Sequence, residues 1–86
     1  MPKIEIYTSD FCPFCARAKN LLNKKGATFT EFNVDMNPAL RVEMIERAQG
    51  RTSVPQIFFD GKLIGGSDDL AALEVSGKLE SLLSPS

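Results

Sequence analysis

The sequence has no histidine and only two cysteines. Without histidine there is no imidazole to act as a base, and two cysteines leave a zinc site two ligands short. Two carboxylates would have to complete the tetrahedron, which is unusual for a structural site. No metal is therefore expected. A permanent structural disulfide is also a weak reading, because a loop of four residues closes little chain entropy. There is no run of about 18 apolar residues, and Met1-Pro2-Lys3 is not followed by a signal-like apolar segment, so neither a membrane span nor a leader is expected. A net charge of −1 gives no case for binding nucleic acid or a membrane. With no repeat and no Pro/Gly/Ser-rich linker, residues 1–86 are read as one domain, and 43% hydrophobic residues can supply its core. The expected setting is the cytoplasm, where a cysteine pair is more often catalytic than structural.

What is present is organised around Phe11-Cys12-Pro13-Phe14-Cys15. A strand-like run over about Lys3–Thr8 enters this stretch, and a helix-like run through Lys25 leaves it. Cys12 then stands at the mouth of a helix, where unpaired N–H groups and the macrodipole favour an anion such as a thiolate. Pro13 suits the first helical turn, since its missing N–H would be unpaired there anyway. Cys15 follows one turn later, within disulfide reach and in apolar surroundings that should raise its pKa. In a strand-helix-strand setting, C-x-x-C reads as a redox motif. Charge is unevenly spread as well. Residues 1–30 hold five cations against two anions, and residues 60–86 hold two against five. Positive charge near Cys12 would help to hold a thiolate and attract an anionic thiol, although solvated helix faces account for the asymmetry equally simply.

Further along, Ala16, Ala18, Leu21 and Leu22 are available to pack from the first helix, and Gly26 ends it. Thr28–Val34 is aromatic and β-branched and predicts a second strand. Asn37-Pro38 reads as a cap and first turn of a helix running to about Gln49. Val42, Ile45 and Ala48, with Leu40 or Met44, form its inner stripe. Gln56–Phe59 and Lys62–Ile64 flank Asp60-Gly61, a strong hairpin signal because that pair tolerates positive φ. Ser67 is expected to cap a last helix with Leu70, Leu73 and Val75 inward. Gly77 interrupts it before a short turn or two over Lys78–Leu83. The order is βαβαββα.

Two other stretches carry chemistry. Ser53-Val54-Pro55 precedes a strand that should be central, and proline cannot donate to a ladder. A cis bond there would let Val54 offer its N–H and C=O to an extended ligand, whereas an ordinary trans proline would simply open the strand. In Gly65-Gly66-Ser67-Asp68-Asp69, two glycines allow close approach of a ligand to backbone, and a helix N-terminus follows. The aspartates either stabilise that helix end or help to recognise an α-amino-acid group. In the second case N–H donors hold its carboxylate and Asp68 holds its ammonium. Glutathione carries such a group.

Together the three stretches resemble the glutaredoxin family, in particular its short dithiol class, over essentially the whole chain. Cys12-Pro13-Phe14-Cys15 is similar to the family's C-P-Y-C, Ser53-Val54-Pro55 to its T-V-P, and the Gly65–Asp69 stretch to its G-G-x-D-D. The resemblance implies an α/β thioredoxin-like fold, with a four-stranded mixed sheet flanked by helices and a cis Pro55. It also implies glutathione lying across Val54, its γ-glutamyl end at Ser67 and Asp68 and its sulfur beside Cys12. Phe14, Ser53, Pro55, Gly66 and Arg51 complete the expected contacts. Two departures stand out. Phe14 lacks the family tyrosine's hydroxyl, and Ser9 stands where the family usually has a lysine, leaving Arg51 or Arg17 as substitute cations.

The expected activity is glutathione-dependent reduction of protein disulfides and glutathione mixed disulfides by Cys12 and Cys15. Glutathione serves as reducing co-substrate, no cofactor is bound, and the chain acts as a monomer. Alternatives are a redoxin served by thioredoxin reductase, a glutathione-ligated [2Fe–2S] carrier and a structural adaptor. The Gly65–Asp69 stretch argues against the first. In the family, proline directly after the first cysteine goes with poor cluster binding, which argues against the second. The third predicts no effect of Cys12→Ser.

Overall fold

The computed structural model describes residues 1–84. Its elements are β1 (Ile4–Thr8), α1 (Pro13–Lys24), β2 (Thr30–Asn33), α2 (Pro38–Arg47), β3 (Gln56–Phe59), β4 (Lys62–Gly65), α3 (Ser67–Val75) and α4 (Lys78–Leu83). The strands form one mixed sheet in the order β2-β1-β3-β4. β1 runs parallel to β2 and antiparallel to β3, and β3 pairs antiparallel with β4. This is the thioredoxin-like arrangement the sequence implied.

Strand alternation sorts the core into two layers. Ile4, Ile6, Ile57 and Phe59 pack on one face with Ala18 and Leu22 of α1, Leu70 of α3, and Leu79 and Leu83 of α4. Tyr7 and Phe58 point to the other face, where they meet Val34, Met44 of α2 and Ala48 at the end of that helix. Asp60 and Gly61 have φ of 52° and 80°, the positive pair that a tight antiparallel hairpin needs.

Several expectations need correcting. β2 is shorter than Thr28–Val34, because β1 offers ladder partners only from Thr30 to Asn33. Helix α2 ends at Arg47, not at about Gln49, and Gln49 takes a positive φ just beyond it. Its inner stripe is Leu40, Met44 and Ala48, four residues apart, with Ile45 at its side. Val42 lies off that stripe and is 56% exposed. On α3, Leu70 and Leu73 pack inward, whereas Val75 lies two residues past Leu73, on the outward side, and is 89% exposed. On α1 the buried line is Cys15, Ala18 and Leu22, which leaves Ala16 exposed.

A polar network crosses the α2 layer. Arg47 donates to Glu5 on β1 (Nη2 to Oε1, 2.8 Å) and to the Tyr7 hydroxyl (Nη1, 2.7 Å), and Tyr7 donates in turn to Glu43. The guanidinium also lies 4.3 Å from the Phe58 ring centroid. Its hydrogen bond to Glu5 holds that carboxyl below its ordinary 4.5, against the opposing effect of burial. A carboxylate with a depressed folded-state pKa contributes stability that is present above 4.5 and lost as pH falls through the folded value. Arg47→Met should therefore cost about 2 kcal/mol near pH 7. The gap from the native protein should narrow below pH 4.5, as urea midpoints across pH would show.

Candidate functional site

Cys12 is the N-cap of α1. Its backbone is extended (φ −110°, ψ 102°), and its sulfur accepts the Cys15 N–H at 3.1 Å. Pro13 opens the helix behind it, as the sequence led one to expect. A sulfur here takes the place of the serine or aspartate oxygen that usually satisfies a first-turn donor. Both thiols are free. Cys12 is partly exposed, whereas Cys15 is 2% exposed. Burial first, then its hydrogen bond with Cys12, pushes the Cys15 thiol up to about 12. The two cysteines therefore differ in their surroundings, Cys15 being the enclosed one.

The Cys12 sulfur lies 4.0 Å from the Val54 carbonyl, across the gap between α1 and the loop before β3. The Val54-Pro55 bond is cis. Gln56 is fully buried, and its Nε2 donates to the Ser53 carbonyl at 3.0 Å, tying that loop to the sheet. Beyond Val54 opens a cleft of about 200 Å³. It is lined by Phe14 from α1, by Arg51 and Ser53–Pro55 from the loop, and by Gly66–Asp69 from the start of α3. Phe14, Arg51, Ser53, Val54, Pro55, Gly66, Ser67 and Asp68, the contacts expected from the sequence, all line this one cleft, whereas Ser9 and Arg17 do not.

The start of α3 differs in detail from expectation. Its N-cap is Gly66, not Ser67, and Ser67 is a buried first-turn residue. Asp69 reaches back and accepts the Gly66 N–H at 2.8 Å, so that donor is not free for a ligand. The same carboxylate oxygen lies 3.3 Å from Arg51 Nη2. The Gly66 N–H first, and then Arg51, hold the Asp69 carboxyl below its ordinary 3.8. Asp68 makes no such cap and lines the cleft. Of the two candidate cations, Arg51 lines the cleft, while the Arg17 guanidinium sits 5.5 Å from the Phe14 ring centroid. Ser9 lines a different recess.

That recess is a groove of about 470 Å³ on the other side of Cys12. It is lined by Ser9–Pro13, Cys15, Ala16, Lys19, Glu31 and Asn33. At its rim Phe11 is fully exposed and has a φ of 53°. Sequence reasoning did not assign this groove. Glu31 is far from the motif in the chain, and only the parallel β1–β2 register brings it alongside Thr8. Among the described residues, no group of three or more potential metal ligands clusters.

Gly65 shows how tightly the α3 start is built. Its φ is +121°, and an added Cβ would lie 2.2 Å from Asp69 Oδ2. Gly61 also has a positive φ, but a Cβ there would meet nothing within 4 Å. Gly65→Ala should thus cost about 1–3 kcal/mol and displace Asp69, whereas Gly61→Ala should cost only about 1 kcal/mol. Thermal unfolding of the two variants would show the difference.

With this geometry in hand, comparison with known proteins is direct. The family model "Glutaredoxin" matches residues 4–64. The chain is 55% identical to Glutaredoxin 3 of Escherichia coli (strain K12) over 83 residues, covering 96% of this chain and 99% of that protein. The solution structure of glutaredoxin from Brucella melitensis superposes with a TM-score of 0.83 at 54% identity, covering 96% of this chain and 89% of that one. A buckwheat glutaredoxin–glutathione complex superposes with a TM-score of 0.86 at 27% identity, covering 95% and 76%. The N-cap cysteine pair, the Val54–Pro55 loop and the shared sheet lead to one conclusion: this chain belongs to the glutaredoxin family, whose members carry out thiol–disulfide exchange.

Proposed function

We infer that the protein is a glutathione-dependent thiol–disulfide oxidoreductase of the dithiol type. The observation that carries this reading is the position of the Cys12 sulfur. It is held at a helix N-terminus and sits 4.0 Å from the Val54 carbonyl, beside a cleft of about 200 Å³ whose lining includes Arg51, Ser53, Ser67 and Asp68. Glutathione would lie extended against Val54, where main-chain groups can pair as in strand addition. Asp68 would take its γ-glutamyl ammonium, with the first-turn N–H groups of α3 on the neighbouring carboxylate. Arg51 would take the distal carboxylate in place of the lysine replaced by Ser9. Phe14, Ser53, Pro55, Gly66 and Ser67 would form the walls. The glutathione in the buckwheat complex is consistent with such a site in this fold.

In this reading the Cys12 thiolate attacks one sulfur of a glutathione mixed disulfide, and the bond between the two sulfurs breaks. The protein thiolate leaves with the electron pair and takes up a proton. A second glutathione then attacks the Cys12-bound sulfur and departs as glutathione disulfide. With a protein disulfide, Cys15 instead attacks Cys12 and leaves the Cys12–Cys15 disulfide, which glutathione reduces. Glutathione enters as co-substrate, and no bound cofactor is part of the cycle. We place the protein in the reducing cytoplasm as a monomer of one domain.

Glutathione-coupled reduction of a glutathionylated peptide and of a protein disulfide tests the scheme. Cys12→Ser should abolish both reactions, while Cys15→Ser should keep the first and lose the second. Equal loss of the first reaction in both variants would refute the division of labour. Asp68→Ala should raise the KM for glutathione about tenfold, which corresponds to ~1.4 kcal/mol of charge-assisted bonding. An unchanged KM with a marked fall in melting temperature would assign Asp68 to helix stability instead.

A further inference from the structure

The groove on the far side of Cys12 holds charged groups that the scheme above does not use. Lys19 follows Cys15 by four residues on α1, so the two share a helix face. The Lys19 ammonium lies 3.0 Å from Glu31 Oε2 on β2. That same oxygen accepts a 2.6 Å hydrogen bond from the hydroxyl of Thr8, itself 1% exposed. Thr8 is therefore a fixed post, and Glu31 is fastened to it. The Thr8 hydroxyl first, and then Lys19, keep the Glu31 carboxyl below its ordinary 4.5, so Glu31 is ionised at neutral pH. Cys12, Cys15, Lys19 and Glu31 all line the one groove.

Cys15 has a chemical difficulty. To resolve a mixed disulfide its thiol must lose a proton, and its sulfur is buried in a chain with no histidine. Part of the upward push on that thiol comes from the hydrogen bond and charge of Cys12. Both disappear once the Cys12 sulfur is tied into a mixed disulfide. Burial remains, opposed by the Ser9 backbone N–H and by Lys19. The charged groups facing Cys15 are few. Besides the titratable Cys12 at the helix cap, they are Lys19 from α1, Asp10 from the loop before it and Glu31 from β2. Asp10 is tied to the Asn33 amide at 2.8 Å. On α3, which packs against α1, Asp68 and Asp69 face the opposite cleft and Glu74 pairs with Lys25. Lys19 is thus the only cation lining the groove among the described residues.

We propose that Lys19 is the positioning residue for resolution: tethered by Glu31 and Thr8, its ammonium compensates the negative charge on the Cys15 sulfur as that sulfur attacks Cys12. In the attack, the Cys15 proton leaves to groove water and the Cys15 thiolate bonds to Cys12 Sγ. The bond from Cys12 to the substrate sulfur breaks, and the substrate departs as a thiolate with the electron pair. No oxidant or reductant beyond the mixed disulfide is consumed. Glu31 holds Lys19 in place but also competes for its charge, so the two members of the ion pair act on Cys15 with opposite sign.

This rests on the dithiol reading above but not on glutathione. The probe is dithiobis-nitrobenzoate, one reagent molecule per reduced protein. The first nitrothiobenzoate is released as Cys12 is captured, and the second as Cys15 resolves the adduct. Cys15→Ser should release only one, and release of two by that variant would sink the dithiol reading itself. Lys19→Gln should slow the second phase relative to the first by about threefold at neutral pH. The effect is modest because the lost thiolate is partly offset by the greater nucleophilicity of a more basic sulfur. Its rate should rise with pH along a profile displaced to higher pH, and Lys19→Arg should restore the native profile. Glu31→Gln should leave the second phase as fast as native or faster. Equal slowing by Lys19→Gln and Glu31→Gln would reduce the pair to a structural brace and overturn the proposal. So would an unchanged second phase in Lys19→Gln.

Discussion

The hydrogen bond from the Cys15 N–H to the Cys12 sulfur is the contact on which the site depends. It makes a reactive atom part of the secondary structure, because α1 begins where that sulfur accepts a first-turn donor. The sheet fixes where this happens. β1 is a central strand, held by β2 on one side and β3 on the other, so its C-terminal end is placed with little freedom. The chain leaves Thr8, turns through Phe11 at positive φ and enters the helix at Cys12. The Val54 loop enters β3 beside it, anchored from below by Gln56. Sheet and helix therefore meet at one atom.

From that atom two unlike recesses diverge. The smaller one is made by the Val54 loop and the start of α3, and its charged groups are Arg51, Asp68 and Asp69. The larger one is made by the β1–α1 loop and the edge strand β2, with Lys19 and Glu31 across it. Cys12 and Cys15 both line the second recess, Cys12 partly exposed and Cys15 buried, so the two thiols differ in burial although only one helical turn lies between them.

Much of this was legible in the sequence because it is written in local chemistry. Pro13 after Cys12, Asn37-Pro38, Asp60-Gly61 and the paired glycines before α3 each fix a backbone geometry within a few residues. The structure bears out the elements they delimit. The helix faces were read less well. Val42, Val75 and Ala16 are apolar and near the right spacing, but orientation is set by the sheet each helix lies on. The cap of α3 was assigned to Ser67 because serine is a common cap. The structure uses Gly66 with the Asp69 carboxylate, an arrangement that leaves no room for a side chain at Gly65. The Glu5–Arg47 and Lys19–Glu31 pairs were out of reach, since each joins residues that only the folded topology makes neighbours.

The sulfur cap also links the redox state of the protein to its folding. A disulfide sulfur accepts an N–H hydrogen bond less well than a thiolate, so a Cys12–Cys15 disulfide would weaken the contact that begins α1. A cap of this kind is worth about 1 kcal/mol. In a closed thermodynamic cycle, whatever stabilises the reduced fold over the oxidised one must appear in the disulfide equilibrium, here as roughly 20 mV toward easier reduction. An ordinary element of helix architecture would thereby enter the reduction potential of the pair.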